Sequence, residues 1–254
     1  MMRITDTVKH LIIINVILWF ATFILGERGI DLSAILALYF PLNNAFEFWQ
    51  PITSMFMHSM ASVTHLLFNM LALWMFGSAL EARWGRVKFL SFYMICGIGA
   101  GLVYTLVNYF QFQSSLNVLV EAGINQSDII ETLNRGMYNE GWGNFLSNEQ
   151  LTDMMSTFFG PAVGASGAIY GILVAFGMMY PNTELMLLFL PIPIKAKYFI
   201  PGILLLDFIG GISGGISVFG TGNIAHFAHL GGALFGFILM WYFNKTQFNK
   251  NRWN

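Results

Sequence analysis

The chain has 254 residues, of which 56% are hydrophobic and only 10% are charged, whereas a soluble domain carries about 25% charged residues. This composition predicts a single membrane domain over residues 1–254 and leaves no stretch polar enough for a separate water-soluble domain. The formal net charge of −1 argues against nucleic acid as a partner, and the single cysteine excludes both an intramolecular disulfide and a thiolate metal site.

Six apolar segments are long enough to cross a bilayer as helices, since a crossing takes about 20 mostly apolar residues. In chain order they cover residues 10–26, 63–81, 87–110, 162–180, 196–212 and 224–243. The first span follows Arg3 and Lys9, as a signal peptide would, but no small-residue cleavage site follows, so we expect it to be retained. Residues 27–62 are interrupted by two prolines and are expected to form a loop in the membrane interface.

The basic residues indicate how these spans are oriented, because lysine and arginine resist translocation. Ten of the twelve flank the spans on one side, and only Arg28 and Arg135 fall on the other. The prediction is an all-α polytopic protein with six transmembrane helices and both termini cytoplasmic, expected in the bacterial cytoplasmic membrane. Residues 111–160 then form an extracytoplasmic insertion, where Ser127 and Ser147 have the pattern of residues that cap short helices.

Polar side chains occur at similar depths in three of the spans, where burying them without partners is costly. His65 and Asn69 lie four residues apart near the start of the second span and share a helix face. Ser166 and Tyr170 are placed in the same way on the fourth span, and His229 lies near the start of the sixth. These three spans run in one direction, so we expect the polar groups in one layer, about 8–10 Å inside their helix starts.

Glycines predict which of these helices lie in contact. Gly232 and Gly236 form a small-x-x-x-small pattern next to His229. The fourth span offers further small residues, among them Gly167 and Gly171, so close packing of the two helices would bring His229 within hydrogen-bond reach of the serine.

This juxtaposition predicts nucleophilic catalysis, because a serine hydroxyl becomes a strong nucleophile only when a base takes its proton. His229 is the candidate base for Ser166, and the glycine spacing favours it over His226, one turn away. We expect Tyr170 to pack against or hydrogen-bond the imidazole. No carboxylate is expected to face His229, since Asp207 on the fifth span is interpreted as structural, so the prediction is a Ser–His dyad.

The oxyanion formed by attack on an amide needs hydrogen-bond donors fixed in advance. The candidates are the side chains of Asn69 and His65 together with backbone N–H groups near the start of the fourth span, including that of Gly164. A purely structural role for His65 in joining helices is the alternative interpretation.

The motifs His65-x-x-x-Asn69, Gly164-x-Ser166-Gly167 and Ala228-His229-x-x-Gly232 resemble those of the rhomboid family of intramembrane serine proteases. The resemblance covers nearly the whole chain apart from the insertion. It implies a rhomboid-type bundle in which Ser166 is the nucleophile and His229 the general base, with Asn69, His65 and the Ser166 backbone as the oxyanion hole. It also implies single-span membrane proteins as substrates, and neither a metal nor a cofactor.

Two other classes of function remain as alternatives. A catalytically silent rhomboid-like protein would bind membrane proteins without cutting them, and a small-solute transporter would use the polar layer to hold its solute. A metal-dependent protease would need a His-Glu-x-x-His helix, which the sequence lacks, and an aspartyl protease would need a second intramembrane carboxylate beside Asp207.

Overall fold

The computed structural model describes residues 3–187, 190–213 and 224–250 and is mostly helical. Its α-helices are α1 (Asp6–Gly26), α2 (Leu32–Leu36), α3 (Gln50–Thr53), α4 (Val63–Ala72), α5 (Ser78–Trp84), α6 (Arg86–Glu121), α7 (Gln126–Asn134), α8 (Asn148–Phe159), α9 (Ser166–Met179), α10 (Ala196–Ser213) and α11 (Ile224–Lys250). A π-helical turn, Leu73–Gly77, joins α4 to α5, and short 3-10 turns cover Ser54–Phe56 and Glu140–Asn144.

Four helices within the described ranges are long and apolar enough to cross a membrane. They are Asp6–Gly26, Val63–Trp84, Arg86–Glu121 and His226–Lys245. Helix α9 is also apolar, but at 14 residues it is shorter than a full crossing. The predicted all-helical polytopic membrane protein is confirmed at this level, while the count of six spans stays a prediction.

Several helices begin or end away from the predicted span boundaries, and two of these differences concern α9 and α6. Helix α9 begins at Ser166 rather than at residue 162, because tertiary hydrogen bonds hold the preceding residues in an extended conformation. Helix α6 continues to Glu121 instead of ending near residue 110. At 1.5 Å per residue its 36 residues reach about 54 Å, well beyond a hydrocarbon core of about 30 Å.

One end of the bundle brings together the start of α1, the turn between α5 and α6, and the end of α11. The buried Glu81 carboxylate accepts the backbone N–H groups of Thr7 and Val8, each at 3.0 Å, which satisfies donors that a helix start leaves free. Arg86 forms an ion pair with Asp6 at the same place. The ammonium of Lys88 lies 3.9 Å from the ring centroid of Phe243.

Helix α9 lies at the centre of the fold, where it packs against α6, α10 and α11. Its residues from Gly167 to Phe176 are all buried, which explains why this helix is apolar on every side rather than amphipathic. An antiparallel pair of strands, β1 (Glu184–Leu187) and β2 (Leu190–Lys195), connects α9 to α10 and was not predicted from the sequence.

The insertion forms a second apolar core against the extension of α6. Its members are Phe40, Phe112, Leu116, Leu119, Ile129, Leu133, Trp142, Leu146, Met154 and Phe158. The two predicted helices are present as α7 and α8. Ser147 caps α8 through a capping box as predicted, whereas α7 is capped by Asn125 and not by Ser127.

The same insertion is hydrogen-bonded to the first loop. The Asn43 amide donates to the carbonyl of Phe158 at 2.8 Å, and the carbonyl oxygen of the Asn134 side chain accepts the Asn44 N–H at 2.8 Å. The loop is organised internally by the buried Gln50, whose side chain accepts the Tyr39 N–H and donates to the Ala45 carbonyl. Loop and insertion therefore form one connected layer beside the candidate site.

Candidate active site

Ser166 is the first residue of α9, so it does not lie about 8–10 Å inside the helix start as predicted. The residues before it are extended because Leu38 and Ala162 exchange two backbone hydrogen bonds, at 2.9 and 2.8 Å. The N–H of Gly164 then donates to the carbonyl of Ser54 at 3.0 Å. The first loop therefore determines where α9 begins, and Ser166 lies in a first turn whose N–H groups have no acceptor within the helix.

The structure brings Ser166 and His229 together. Nε2 of His229 lies 2.9 Å from Oγ of Ser166, and the imidazole is 2% exposed. The ring of Tyr170 stacks on the imidazole with a centroid distance of 4.2 Å and an angle of 8° between the planes. The imidazole is therefore held on its face by Tyr170, while its edge points at the serine hydroxyl.

Glycines allow this approach, since α9 and α11 are in contact through their backbones. A β-carbon on Gly232 would collide with the carbonyl oxygen of Gly167, and one on Gly236 would lie 2.6 Å from Cα of Gly171. These are the four small residues that the sequence pattern selected for helix packing. Any larger side chain at Gly232 or Gly236 would push the two helices apart, because backbone atoms cannot move aside.

The expectation that no carboxylate faces His229 is wrong. Asp207 of α10 is fully buried, and its Oδ1 lies 3.2 Å from Nδ1 of His229 and 2.7 Å from Nδ1 of His226. The hydroxyl of Tyr170 donates to Oδ2 of the same carboxylate. Asp207 was interpreted from the sequence as structural, although a lone carboxylate in an apolar segment is itself a signal of function.

His226 is buried as well, but it is directed at Asp207 and not at the serine. Its ring lies against α10 where a glycine leaves room for it: a β-carbon on Gly210 would stand 2.5 Å from Cε1 and 2.6 Å from Nε2. The two histidines of α11 thus occupy different positions around one carboxylate.

Three of the candidate oxyanion donors, His65, Gly164 and Asn69, differ in their placement. His65 lines the cavity beside Ser166, and its ring lies about 3.2–3.3 Å from the position of a β-carbon on Gly164. Gly164 has φ +135°, a conformation that favours glycine. Because its N–H is bonded to the Ser54 carbonyl, its predicted role as an oxyanion donor is wrong. Gly164 instead makes room for His65.

Asn69 is buried one turn beyond His65, and its side-chain amide donates to the His65 carbonyl at 2.7 Å. It is not among the residues that line the cavity beside Ser166. One of its two amide hydrogens is therefore used within the helix.

The cavity at these residues has a volume of about 570 Å³. Its walls come from the first loop, the start of α4, the middle of α6, the extended residues before Ser166 and one turn of α11. Residues from each part include Leu38, His65, Ala100, Gly164, Ser166 and His229. The serine–histidine pair therefore opens onto a space large enough to admit a short length of peptide.

A further histidine from the first loop lies next to the site. The His58 and His65 rings are 5.2 Å apart, and within the described part of the chain neither ring nitrogen of His58 has a hydrogen-bond partner. Burial lowers the pKa of His58 to about 3, with a smaller lowering contribution from the neighbouring His65 and a small opposing contribution from the nearby backbone of Phe56. His58 is therefore neutral at physiological pH.

Taken with the fold, these residues define a polytopic helical membrane protein with a serine–histidine pair at the wall of a cavity. The model of the Rhomboid domain matches residues 45–124 and 129–246. The chain belongs to the rhomboid family, as its motifs indicated.

Individual relatives agree with this family. The chain is 26% identical to the rhomboid protease AarA of Providencia stuartii over 90% of its own length and 69% of the relative's. It is 27% identical to the mitochondrial Rhomboid protein 1 of Saccharomyces cerevisiae and 29% identical to the mitochondrial presenilin-associated rhomboid-like protein A of Danio rerio, over 72% and 71% of the chain. The chain spans only 38% and 33% of those two mitochondrial proteins.

Proposed function

We propose that this protein is an intramembrane serine endopeptidase that cleaves transmembrane segments of other membrane proteins, with Ser166 as nucleophile and His229 as general base. The observation that carries the proposal is the 2.9 Å distance between Oγ of Ser166 and Nε2 of His229 at the wall of a cavity. A serine and an imidazole at this distance form the basic unit of nucleophilic catalysis.

In the proposed reaction, His229 takes the Ser166 proton on Nε2 while Oγ attacks the carbonyl carbon of a substrate peptide bond. The N–H of Ser166, at the start of α9, and the side chain of His65 stabilise the negative charge on the former carbonyl oxygen. His229 then gives its proton to the departing amine, which leaves an acyl-enzyme on Ser166. Water activated by the same imidazole hydrolyses this ester and restores the hydroxyl.

The proposed substrates follow from the location of the pair. Ser166 is the first residue of α9 and His229 lies in α11, and both helices pack within an apolar bundle. A substrate peptide bond can therefore reach the pair only from within or beside the membrane. The family resemblance and the similarity to a rhomboid protease support transmembrane proteins as substrates. Helix α9 starts at Ser166, which fits a site near one end of the bundle rather than at its midplane.

We further propose six membrane spans, both termini cytoplasmic, and a single membrane domain over residues 1–254 with its insertion on the other side. The charge distribution supports this orientation. The contacts of Asp6 with Arg86 and of Lys88 with Phe243 support placing the start of α1 and the end of α11 on one side. The bacterial cytoplasmic membrane is the proposed location, since the match to AarA covers more of the chain than the mitochondrial matches do.

The test is labelling with a fluorophosphonate, together with cleavage of a model transmembrane substrate in proteoliposomes. The purified chain should be labelled and should cleave, while Ser166→Ala should do neither and should keep the melting temperature of the unaltered protein. A folded chain that neither labels nor cleaves would overturn the proposal in favour of a silent binding protein or a transporter, which have no reason to contain a reactive serine.

A further inference from the structure

The buried carboxylate of Asp207 connects three side chains from two helices. Its Oδ1 faces Nδ1 of both His226 and His229, and its Oδ2 accepts the hydroxyl of Tyr170. We propose that Asp207 is a positioning residue that extends the serine–histidine pair into a Ser166–His229–Asp207 relay. This inference rests on the proposed function and concerns how its general base is prepared.

The contact with Asp207 determines which nitrogen of His229 carries the proton. An ionised carboxylate can only accept hydrogen bonds, so an imidazole nitrogen facing it at 3.2 Å must be the protonated one. Nδ1 then carries the hydrogen, and the lone pair of Nε2 points at the serine hydroxyl 2.9 Å away. This is the tautomer that a general base needs, whereas the other tautomer would present an N–H to Ser166 and could not take its proton.

Asp207 also faces the positive charge that develops on His229 during the reaction. When His229 accepts the serine proton it becomes an imidazolium in a buried site, where an unpaired charge is costly. The groups that face it are Asp207 from α10, His65 from α4 and, stacked on its ring, Tyr170 from α9. Asp207 supplies the negative charge among them and therefore stabilises the transition state as well as the resting tautomer.

The Asp207 carboxylate is itself held in place by His226 and Tyr170. His226 donates to Oδ1 at 2.7 Å, closer than His229 does, and Tyr170 fixes the other oxygen. Both contacts restrict rotation of the carboxylate, and Tyr170 also stacks on His229. His226 therefore tethers Asp207 from the same helix that carries the base, and it needs the room that Gly210 leaves for its ring.

The decisive variant is Asp207→Asn, which keeps the size of the side chain but removes its charge. We expect kcat/KM on a transmembrane substrate to fall by about tenfold to thousandfold, mainly in kcat because Asp207 does not line the cavity. This is less than the loss of about 10⁴ seen for the equivalent change in other serine proteases, since Tyr170 still orients the ring. The acid limb of the pH–rate profile should move to lower pH, because the imidazolium loses its counter-charge, and a purely structural role would not move it.

A matched pair of alanine variants on α10 tests the tether. Gly210→Ala places a methyl group against the His226 ring and should lower kcat, while Gly202→Ala, with open space around it, should not. If Gly210→Ala has an unchanged kcat, the contact of His226 with Asp207 is not needed for catalysis and His226 is not part of the relay.

If folded Asp207→Asn keeps both the rate and the pH profile of the unaltered chain, the relay is overturned. The proposed function fails only if the unaltered chain itself is inactive. Should Asp207→Asn not fold, ¹⁵N NMR of histidine in the full-length protein decides the matter, with the His229 signals assigned by their loss in His229→Gln. We expect a protonated Nδ1 and an unprotonated Nε2 at neutral pH, and the opposite tautomer would overturn the relay.

Discussion

Gly232 of α11 lies so close to Gly167 of α9 that a β-carbon on Gly232 would collide with the Gly167 carbonyl oxygen. Ser166 directly precedes Gly167, and His229 lies three residues before Gly232. The contact between the two glycines therefore determines the distance between nucleophile and base. The geometry of the site is therefore a consequence of helix packing, and changes that add nothing but volume should affect it.

Gly232→Ala should accordingly reduce cleavage by at least tenfold and lower the melting temperature. Overpacking of this kind costs about 1–3 kcal/mol, and here the obstacle is backbone rather than a flexible side chain. The measurement is the cleavage rate alongside thermal unfolding in detergent. Gly202→Ala on α10 serves as the control, since no atom lies within 4 Å of its added β-carbon. Full activity in Gly232→Ala would show that the two helices need not be this close.

Alanine substitutions of His226 and His229, both on α11, should differ in their effect on cleavage. Ser166→Ala and His229→Ala should each abolish cleavage, and the double variant should be no worse than either, because a nucleophile and its base act as one unit. His226→Ala should retain measurable activity, reduced by about tenfold, since His226 contacts Asp207 and not the serine. If His226→Ala is inactive while His229→Ala still cleaves, the base has been assigned to the wrong residue.

Alanine substitutions of His65 and Asn69, both on α4, should differ in their effect on kcat. His65→Ala should lower kcat by about a hundredfold to a thousandfold, the usual loss for one oxyanion donor. Asn69→Ala should lower it by only about tenfold, because its amide is bonded to the His65 carbonyl and lies outside the cavity lining. Asn15→Ala is the matched control: Asn15 is buried and makes the same bond, to Leu11 at 2.7 Å, on the distant α1. Equal losses for His65→Ala and Asn69→Ala would indicate that Asn69 contacts the oxyanion directly.

Sequence patterns predicted those parts of the site that depend on local spacing. His65 and Asn69 share a face because they are four residues apart, and Gly232 indicated a close helix contact through its small-x-x-x-small pattern. Asp207 could not be predicted as a partner of His229, since 22 residues and the α10–α11 connection separate them and only tertiary packing brings them together. The start of α9 at Ser166 was missed for a similar reason, because it depends on hydrogen bonds from a loop more than a hundred residues earlier in the chain.

Acid should destabilise the protein through His58. Its pKa is about 3 in the folded chain and about 6.5 when exposed, so below pH 6.5 protons bind the unfolded state first. The contribution of neutral His58 to the free energy of unfolding is complete above pH 6.5. It declines as the pH falls towards 3, by at most about 1.4 kcal/mol per pH unit. His58→Phe should flatten the fall in melting temperature between pH 7 and pH 5 and cost little at pH 7, since the ring nitrogens it removes have no partners among the described residues. An equally steep fall in His58→Phe would assign the acid sensitivity to another group.

The orientation of the chain can be measured with reporter tags, and the charge count makes the expected result specific. Tags at residues 1 and 254 should both be protected in intact cells and exposed after permeabilisation, because the proposed topology places ten of the twelve basic residues on the side of the termini. A tag at Gly136, an exposed glycine just after α7 with φ +75°, should be accessible without permeabilisation. The contacts of Asp6 with Arg86 and of Lys88 with Phe243 require the two helix ends to share a side whichever way the protein inserts. Both terminal tags outside would therefore reverse the orientation but keep an even number of spans, whereas one tag inside and one outside would rule out six.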